Sequence, residues 1–210
     1  MATNAQLIDQ VLFHLGNRAS YRANVLSSMK LWVDERERGR FLPWFLEKES
    51  SGLVTVEDRD YISLPTDFLR ELDEGTVLVT DADGLEHKLV KAPSLDRLLS
   101  EKDEGGLPEA YYLFNGRMYL RQTPDAAYFL RFFYYGKSTV LADNDSEATH
   151  WGAEAASALV FGSAAIFAGT VLQNMKLRDS LAAFESRALD NLLAANEARI
   201  HSGSSLLIED

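Results

Sequence analysis

The side chains best able to do chemistry in this 210-residue chain are four histidines, His14, His87, His150 and His201, and 32 carboxylates. A zinc site or an activated nucleophile needs a second ligand or a base at helical or turn spacing, and no H-E-x-x-H or comparable pairing surrounds any of the four. The sequence contains no cysteine, which excludes disulfides, thiolate zinc sites and Cys nucleophiles and fits a reducing compartment. Gly136-Lys137-Ser138 matches the end of a phosphate-binding loop, but Arg131 stands where the first glycine belongs, and the next helix begins only after an acidic loop. Asp81-Ala82-Asp83-Gly84 is a fragment of a calcium loop and reads better as a hairpin turn. Asp143-Asn144-Asp145-Ser146-Glu147 offers oxygens to a hard cation, yet acidic residues there also suit the start of a helix, where the macrodipole is positive. There is no G-x-S-x-G, and no G-x-G-x-x-G after a strand. The residues therefore predict no catalytic, cofactor-binding or metal-binding site, and no enzyme.

The elements that would carry any site are clearest between Leu107 and Gly136. Ala110 to Phe114 and Arg117 to Arg121 flank Asn115-Gly116, the strongest short-range hairpin signal, because a type I′ turn needs positive φ at both central positions. Pro124 interrupts the ladder, and Ala127 to Tyr135 forms a third strand. Tyr128, Leu130, Phe132 and Tyr134 share one face of it, and Phe129, Arg131, Phe133 and Tyr135 share the other. A strand apolar on both faces is expected to be covered on both, so the three strands read as one buried platform.

Upstream, Leu7, Ile8, Val11, Leu12 and Leu15 recur at helical spacing and end at Gly16-Asn17. Ser20 is placed to cap a second helix to about Arg38, with Val25, Met29, Trp32 and Val33 on one stripe and the DERERGR run in solvent. Phe41-Leu42-Pro43-Trp44-Phe45-Leu46 must be buried as a core plug or an interface anchor. From Leu53 to Leu99 the pattern turns to strands with short helices. A hairpin or bent strand spans Val54 to Leu64, a short helix Thr66 to Leu72, strands Thr76 to Thr80 and Glu86 to Lys91, and a helix Ser94 to Glu104.

Downstream, a helix is predicted from Trp151 to Leu172. Its charge-free stretch Ala155 to Leu172 reaches membrane-spanning length, but Ala, Gly, Ser and Thr dominate it and no Lys or Arg anchors either flank. Small residues let helices approach closely, so it reads as a central helix buried by neighbours or by another subunit. A last helix runs from Met175 to Ile200 with Leu177, Leu181, Phe184, Ala188, Leu192 and Ala195 on one stripe. Trp44, Phe161 and Phe167 are expected in the core or at a subunit interface. A flexible tail, 201–210, follows, and its Leu206-Leu207-Ile208 is an unusual thing to leave in water.

The fold expected is α+β. Residues 1–50 and 137–200 form a helical bundle around a β-rich, antiparallel insertion, 51–136. A net charge of −11 argues against an extended grip on nucleic acid, and the N-terminus, MATNAQLIDQ, shows no signal peptide. A small α+β hydrolase or ligand-binding protein using carboxylates near Tyr111, Tyr119 and Tyr128 is one alternative, and a membrane-anchored protein another.

The order of features resembles the head-to-tail connector, or adaptor, proteins of tailed bacteriophages. The resemblance is carried by Phe41-Leu42-Pro43-Trp44-Phe45, Ser63-Leu64-Pro65-Thr66-Asp67-Phe68-Leu69-Arg70, Leu107-Pro108-Glu109-Ala110-Tyr111-Tyr112, Asn115-Gly116-Arg117-Met118-Tyr119-Leu120, Thr123-Pro124-Asp125-Ala126-Ala127-Tyr128 and Phe133-Tyr134-Tyr135, then an acidic loop and an alanine-rich helix pair. It implies a structural virion protein at the head–tail interface, made in the host cytoplasm. It further implies a homo-oligomeric ring, a dodecamer, beneath a portal protein, with a tail or nozzle protein below and DNA passing through without specific binding. No membrane and no cofactor are implied. Carried onto this chain, Ile200, Leu206, Leu207 and Ile208 would dock on the portal.

Overall fold

The computed structural model describes residues 2–72, 77–100, 105–144 and 149–202, with backbone alone at Ser51 and at 200–202. The architecture is α+β, with helices toward both ends of the chain and antiparallel sheet in the middle. The chain divides into two compact units, Met1–Leu46 with Ser138–Asp210, and Glu47–Lys137.

In the helical unit, α1 (Asn4–His14) opens with a capping box. Thr3 Oγ1 accepts from the Gln6 amide, and the Gln6 side chain accepts from the Thr3 amide. Leu7, Ile8, Val11 and Leu12 are buried, and the helix stops where Gly16 and Asn17 turn left-handed at φ 87° and 56°. The second helix, α2 (Arg22–Glu37), follows a 3-10 turn over Ala19–Tyr21, so Ser20 lies inside that turn and is not the cap. The stretch predicted as one helix from Trp151 is two, α4 (His150–Glu154) and α5 (Ala156–Thr170), broken where Ala155 leaves helical geometry at φ −133° and ψ 37°. Thr149 caps α4 through the Gly152 amide. The last helix, α6 (Met175–Ser202), has 28 residues, about 42 Å of rod at 1.5 Å each.

Helix α5 is the hub of this unit. It packs against α1, α2 and α6, and its small residues Ala158, Gly162, Ser163, Ala164, Ala165 and Ala168 are buried. Gly162 shows why small residues are needed there: an added Cβ would sit 2.0 Å from Trp32 Nε1 and 2.8 Å from Glu185 Oε1. Trp32 Nε1 donates to that same Glu185 oxygen at 2.6 Å, and Arg36 donates to it at 2.6 Å, which ties α2 to α6. The DERERGR run is therefore not wholly solvated. Glu37 is 7% exposed and accepts from the Ser138 amide at 3.0 Å and from Trp151 Nε1 at 3.2 Å. It continues the Val33 stripe by four residues and needs both donors to be tolerated inside.

The β unit contains β1 (Glu47–Val54), β2 (Tyr61–Ser63), β3 (Phe68–Glu71), β4 (Val77–Thr80), β5 (Glu86–Lys88), β6 (Val90–Lys91), β7 (Ala110–Phe114), β8 (Arg117–Arg121) and β9 (Phe129–Gly136), with one short helix, α3 (Leu95–Ser100). One sheet runs β1-β9-β4-β5, with β3 also on β9; the other runs β2-β8-β7-β6. The β7–β8 hairpin turns at Asn115-Gly116, φ 47° and 72°, as expected. Ser94 Oγ accepts from the Arg97 amide at 3.2 Å, the expected cap of α3. The sheets face each other over Leu130, Phe132, Tyr134, Val77 and Val79 from one side and Ile62, Tyr111, Met118 and Leu120 from the other.

Four expectations about this unit are overturned. The platform strands do not share a sheet, because β9 pairs with β1, β3 and β4 while the hairpin pairs with β2 and β6. Val54 to Leu64 is neither a hairpin nor one bent strand, since β1 ends at Val54, β2 begins at Tyr61, and the two belong to different sheets. Thr66 to Leu72 holds a turn and then β3, not a helix. Pro65 opens a tight turn closed by the Phe68 amide, and β3 then pairs with the C-terminal half of β9, where that pairing outweighs local propensity. Finally, β9 is fully buried on one face only: on the other, Phe129 is 61% exposed, Phe133 and Tyr135 are partly buried, and Arg131 is held by Glu49 and Glu86 at 2.8 Å each.

The first and last strands close the unit on itself, with Glu47 opposite Tyr135. Beside them, Asp67 accepts from Lys48 Nζ at 2.6 Å and from the Tyr134 hydroxyl at 3.0 Å. Burial pushes the Asp67 carboxyl up, but the Lys48 and Tyr134 hydrogen bonds outweigh it and hold the group below the usual carboxylate range. The same site pushes Tyr134 up to about 12, through burial and then its bond to Asp67. A depressed carboxyl stabilises the fold above its unfolded pKa, and that contribution is lost as pH falls through the folded value. Asp67→Asn is thus expected to lower stability by about 1 kcal/mol at pH 7 and by less at pH 3, read from urea midpoints at the two pH values.

Candidate functional site

Among the described residues the structure brings only one pair of the candidate chemical groups together, His87 and Asp81. His14 lies tilted against Phe161 with centroids 5.1 Å apart, His87 Nε2 lies 2.6 Å from Asp81 Oδ2, and His150 starts α4. The Asp81 loop is a turn, with Asp81 Oδ1 accepting from the amides of Asp83 and Leu85 at 2.9 Å. Asp143 is engaged by Arg22 at 2.6 and 2.7 Å, a bidentate pair that also draws in Asp9 and holds the Asp143 carboxyl below its usual range. Among the described residues no three His, Asp or Glu side chains cluster as a metal site would need, and no helix is long and apolar enough to cross a membrane.

What the helical unit does present is apolar surface around α6. Only Leu181 and Leu192 of the predicted stripe are buried; Phe184 is 48% exposed and Ala195 is exposed too. On the α1 side of α6 a line of rings runs Phe13, His14, Phe161, Phe184, with successive centroids 5.1–5.6 Å apart and Phe13 73% exposed. On the α2 side lies a groove of 450 Å³, with Leu31, Ile166, Gly169 and Met175 in its lining. Toward its C-terminal end α6 is gripped by the aromatic knot. The Trp44 amide donates to Asn196 Oδ1 at 3.1 Å, and the Arg199 guanidinium lies 5.5 Å from the Trp44 ring centroid. Phe45 and Trp32 meet Trp151 edge-on, at 5.1 and 5.2 Å.

Of the residues singled out from sequence, Phe167 is fully buried, Phe161 is half-buried in the ring line, and Trp44 is half-buried against α6. Ile200 lies on α6, its side chain outside the described set, as are Leu206, Leu207 and Ile208 altogether. Sequence reasoning missed Glu37, Glu185 and Asp67. For Glu37 the signal was there, since four residues beyond Val33 is one helical turn further along the buried stripe. Nothing in one dimension pairs Glu185 with Trp32, 153 residues away.

The helical unit thus sets a long, half-bare helix with aromatic rings at its side on a small-residue hub helix. A sequence model of the SU10 adaptor protein family matches residues 2–205, and the chain belongs to that family of bacteriophage head-to-tail adaptors. Membership makes it a structural component of the phage particle at the head–tail junction. No curated protein matches the sequence.

Proposed function

We propose that this chain assembles as a ring of identical copies, a dodecamer, that docks beneath the portal, offers an attachment surface to the tail or nozzle protein, and gives DNA a passage, without catalysis. The observation that carries this reading is family membership over residues 2–205, together with a helical unit that leaves Phe13, Phe184, Leu31 and Met175 uncovered. Apolar surface of this kind fits burial by sister copies. The net charge of −11 suits a conduit, since a wall that repels phosphate does not retain DNA. The portal contact falls to Ile200 and to the segment containing Leu206, Leu207 and Ile208, whose aliphatic burial would favour docking.

Light scattering of the protein alone and with an assembled portal tests the ring: a large closed assembly is expected, and a strict monomer under both conditions counts against it. Deleting Gly203 to Asp210 is expected to weaken portal binding at least tenfold while the circular dichroism spectrum and unfolding midpoint stay unchanged. Burial of three aliphatic side chains supports more than that loss, at about 1.5 kcal/mol or more each. Unaltered binding by the deletion variant would remove the tail from the portal contact.

A further inference from the structure

Helix α6 has a different kind of surface on each side. The α1 side projects the Phe13, Phe161 and Phe184 rings, and Arg187, one turn on from Phe184, places its guanidinium 5.9 Å from that ring centroid. The α2 side is concave, floored by α5 at Gly162 and Ile166, with Leu31 and Met175 half-exposed in the lining and Glu35 also contributing to it. Arg187 and Glu35 are both exposed, and among the described residues neither has an ion-pair partner, whereas Arg36, Arg178 and Glu185 nearby are all paired. Around the α6 axis, at 100° per residue, the groove residues Met175, Arg178, Ala182 and Glu185 centre about 140° from Phe184.

We infer that these two surfaces are the two halves of one interface between copies: the ring line of one copy seats in the α2–α5–α6 groove of the next, with Arg187 meeting Glu35. This rests on the ring assembly proposed above and names the surfaces that make it. Three observations favour a second copy as occupant. Projection and groove lie on one helical unit and are different patches, so their pairing is heterologous and propagates from copy to copy. Their separation around α6 places them on nearly opposite sides, as a closed ring with many members needs. The unpaired charges are complementary, one on each half, so docking the wrong halves together would set arginine against arginine or glutamate against glutamate.

The cysteine-free sequence makes the test direct. Arg187→Cys and Glu35→Cys are made as separate single variants and treated with a short bismaleimide, alone and mixed, with and without an assembled portal. The mixture is expected to give a covalent dimer, and neither variant alone should. As a second measure, Arg187→Glu and Glu35→Arg are each expected to weaken self-association about tenfold, and the double variant to recover it to within about threefold. Assembly without mixed cross-linking, or cross-linking of one variant with itself, overturns this interface and leaves the ring standing. If no assembly forms under any condition, the ring reading fails and takes the interface with it.

Discussion

Gly162→Ala is expected to destabilise the helical unit by about 2 kcal/mol, although alanine is the better helix former by about 1 kcal/mol. The added methyl would lie 2.0 Å from Trp32 Nε1 and 2.5 Å from its Cδ1, and the Trp32 ring is only 1% exposed. Moving the indole breaks its bond to Glu185 and disturbs its edge-on contact with Trp151, so overpacking outweighs propensity. Gly169→Ala is the internal control. Its new methyl would meet only the flexible, half-exposed Arg178 chain at 3.0 Å, so propensity should win there and stability rise by about 0.5 kcal/mol. Urea unfolding followed by circular dichroism checks both, and shifts of the same sign at the two glycines would refute the close-approach argument.

Removing the Glu37 side chain should cost more. Glu37→Ala strips the acceptor from the Ser138 amide and from Trp151 Nε1, and Trp151 is 1% exposed. Two donors left unpaired, plus the space vacated, predict a loss of about 3–4 kcal/mol. Glu37→Gln keeps an oxygen in reach of both donors and should lose about 1 kcal/mol or less. Unfolding midpoints monitored by tryptophan fluorescence separate the two. Equal losses would mean that the carboxylate charge, not the pair of hydrogen bonds, is what the site requires.

Local patterns were legible wherever a residue's role was settled by its near neighbours. Asn115-Gly116 fixed a hairpin because its turn geometry demands positive φ, and the alanine-rich stretch after Trp151 announced close helix packing because side-chain size alone permits it. What failed depended on partners far away in sequence. Phe68 to Glu71 carries helix-compatible residues behind a proline, and only the vacant edge of β9 makes it a strand. The break at Ala155 has no glycine or proline to mark it. The surfaces around α6 were hardest to read, since an exposed Phe184 and a buried Leu181 occupy the same predicted stripe and differ only in what packs over each.

The pairing of β1 with β9 reaches beyond stability. An inserted segment whose entrance and exit leave side by side makes a cassette: Leu46 and Ser138 could be rejoined by a short bridge, or a different module spliced between them, without unthreading the helices. The inserted half of the molecule can then change while the helical half keeps its own core. For a part that must join two unlike machines, that independence is worth having.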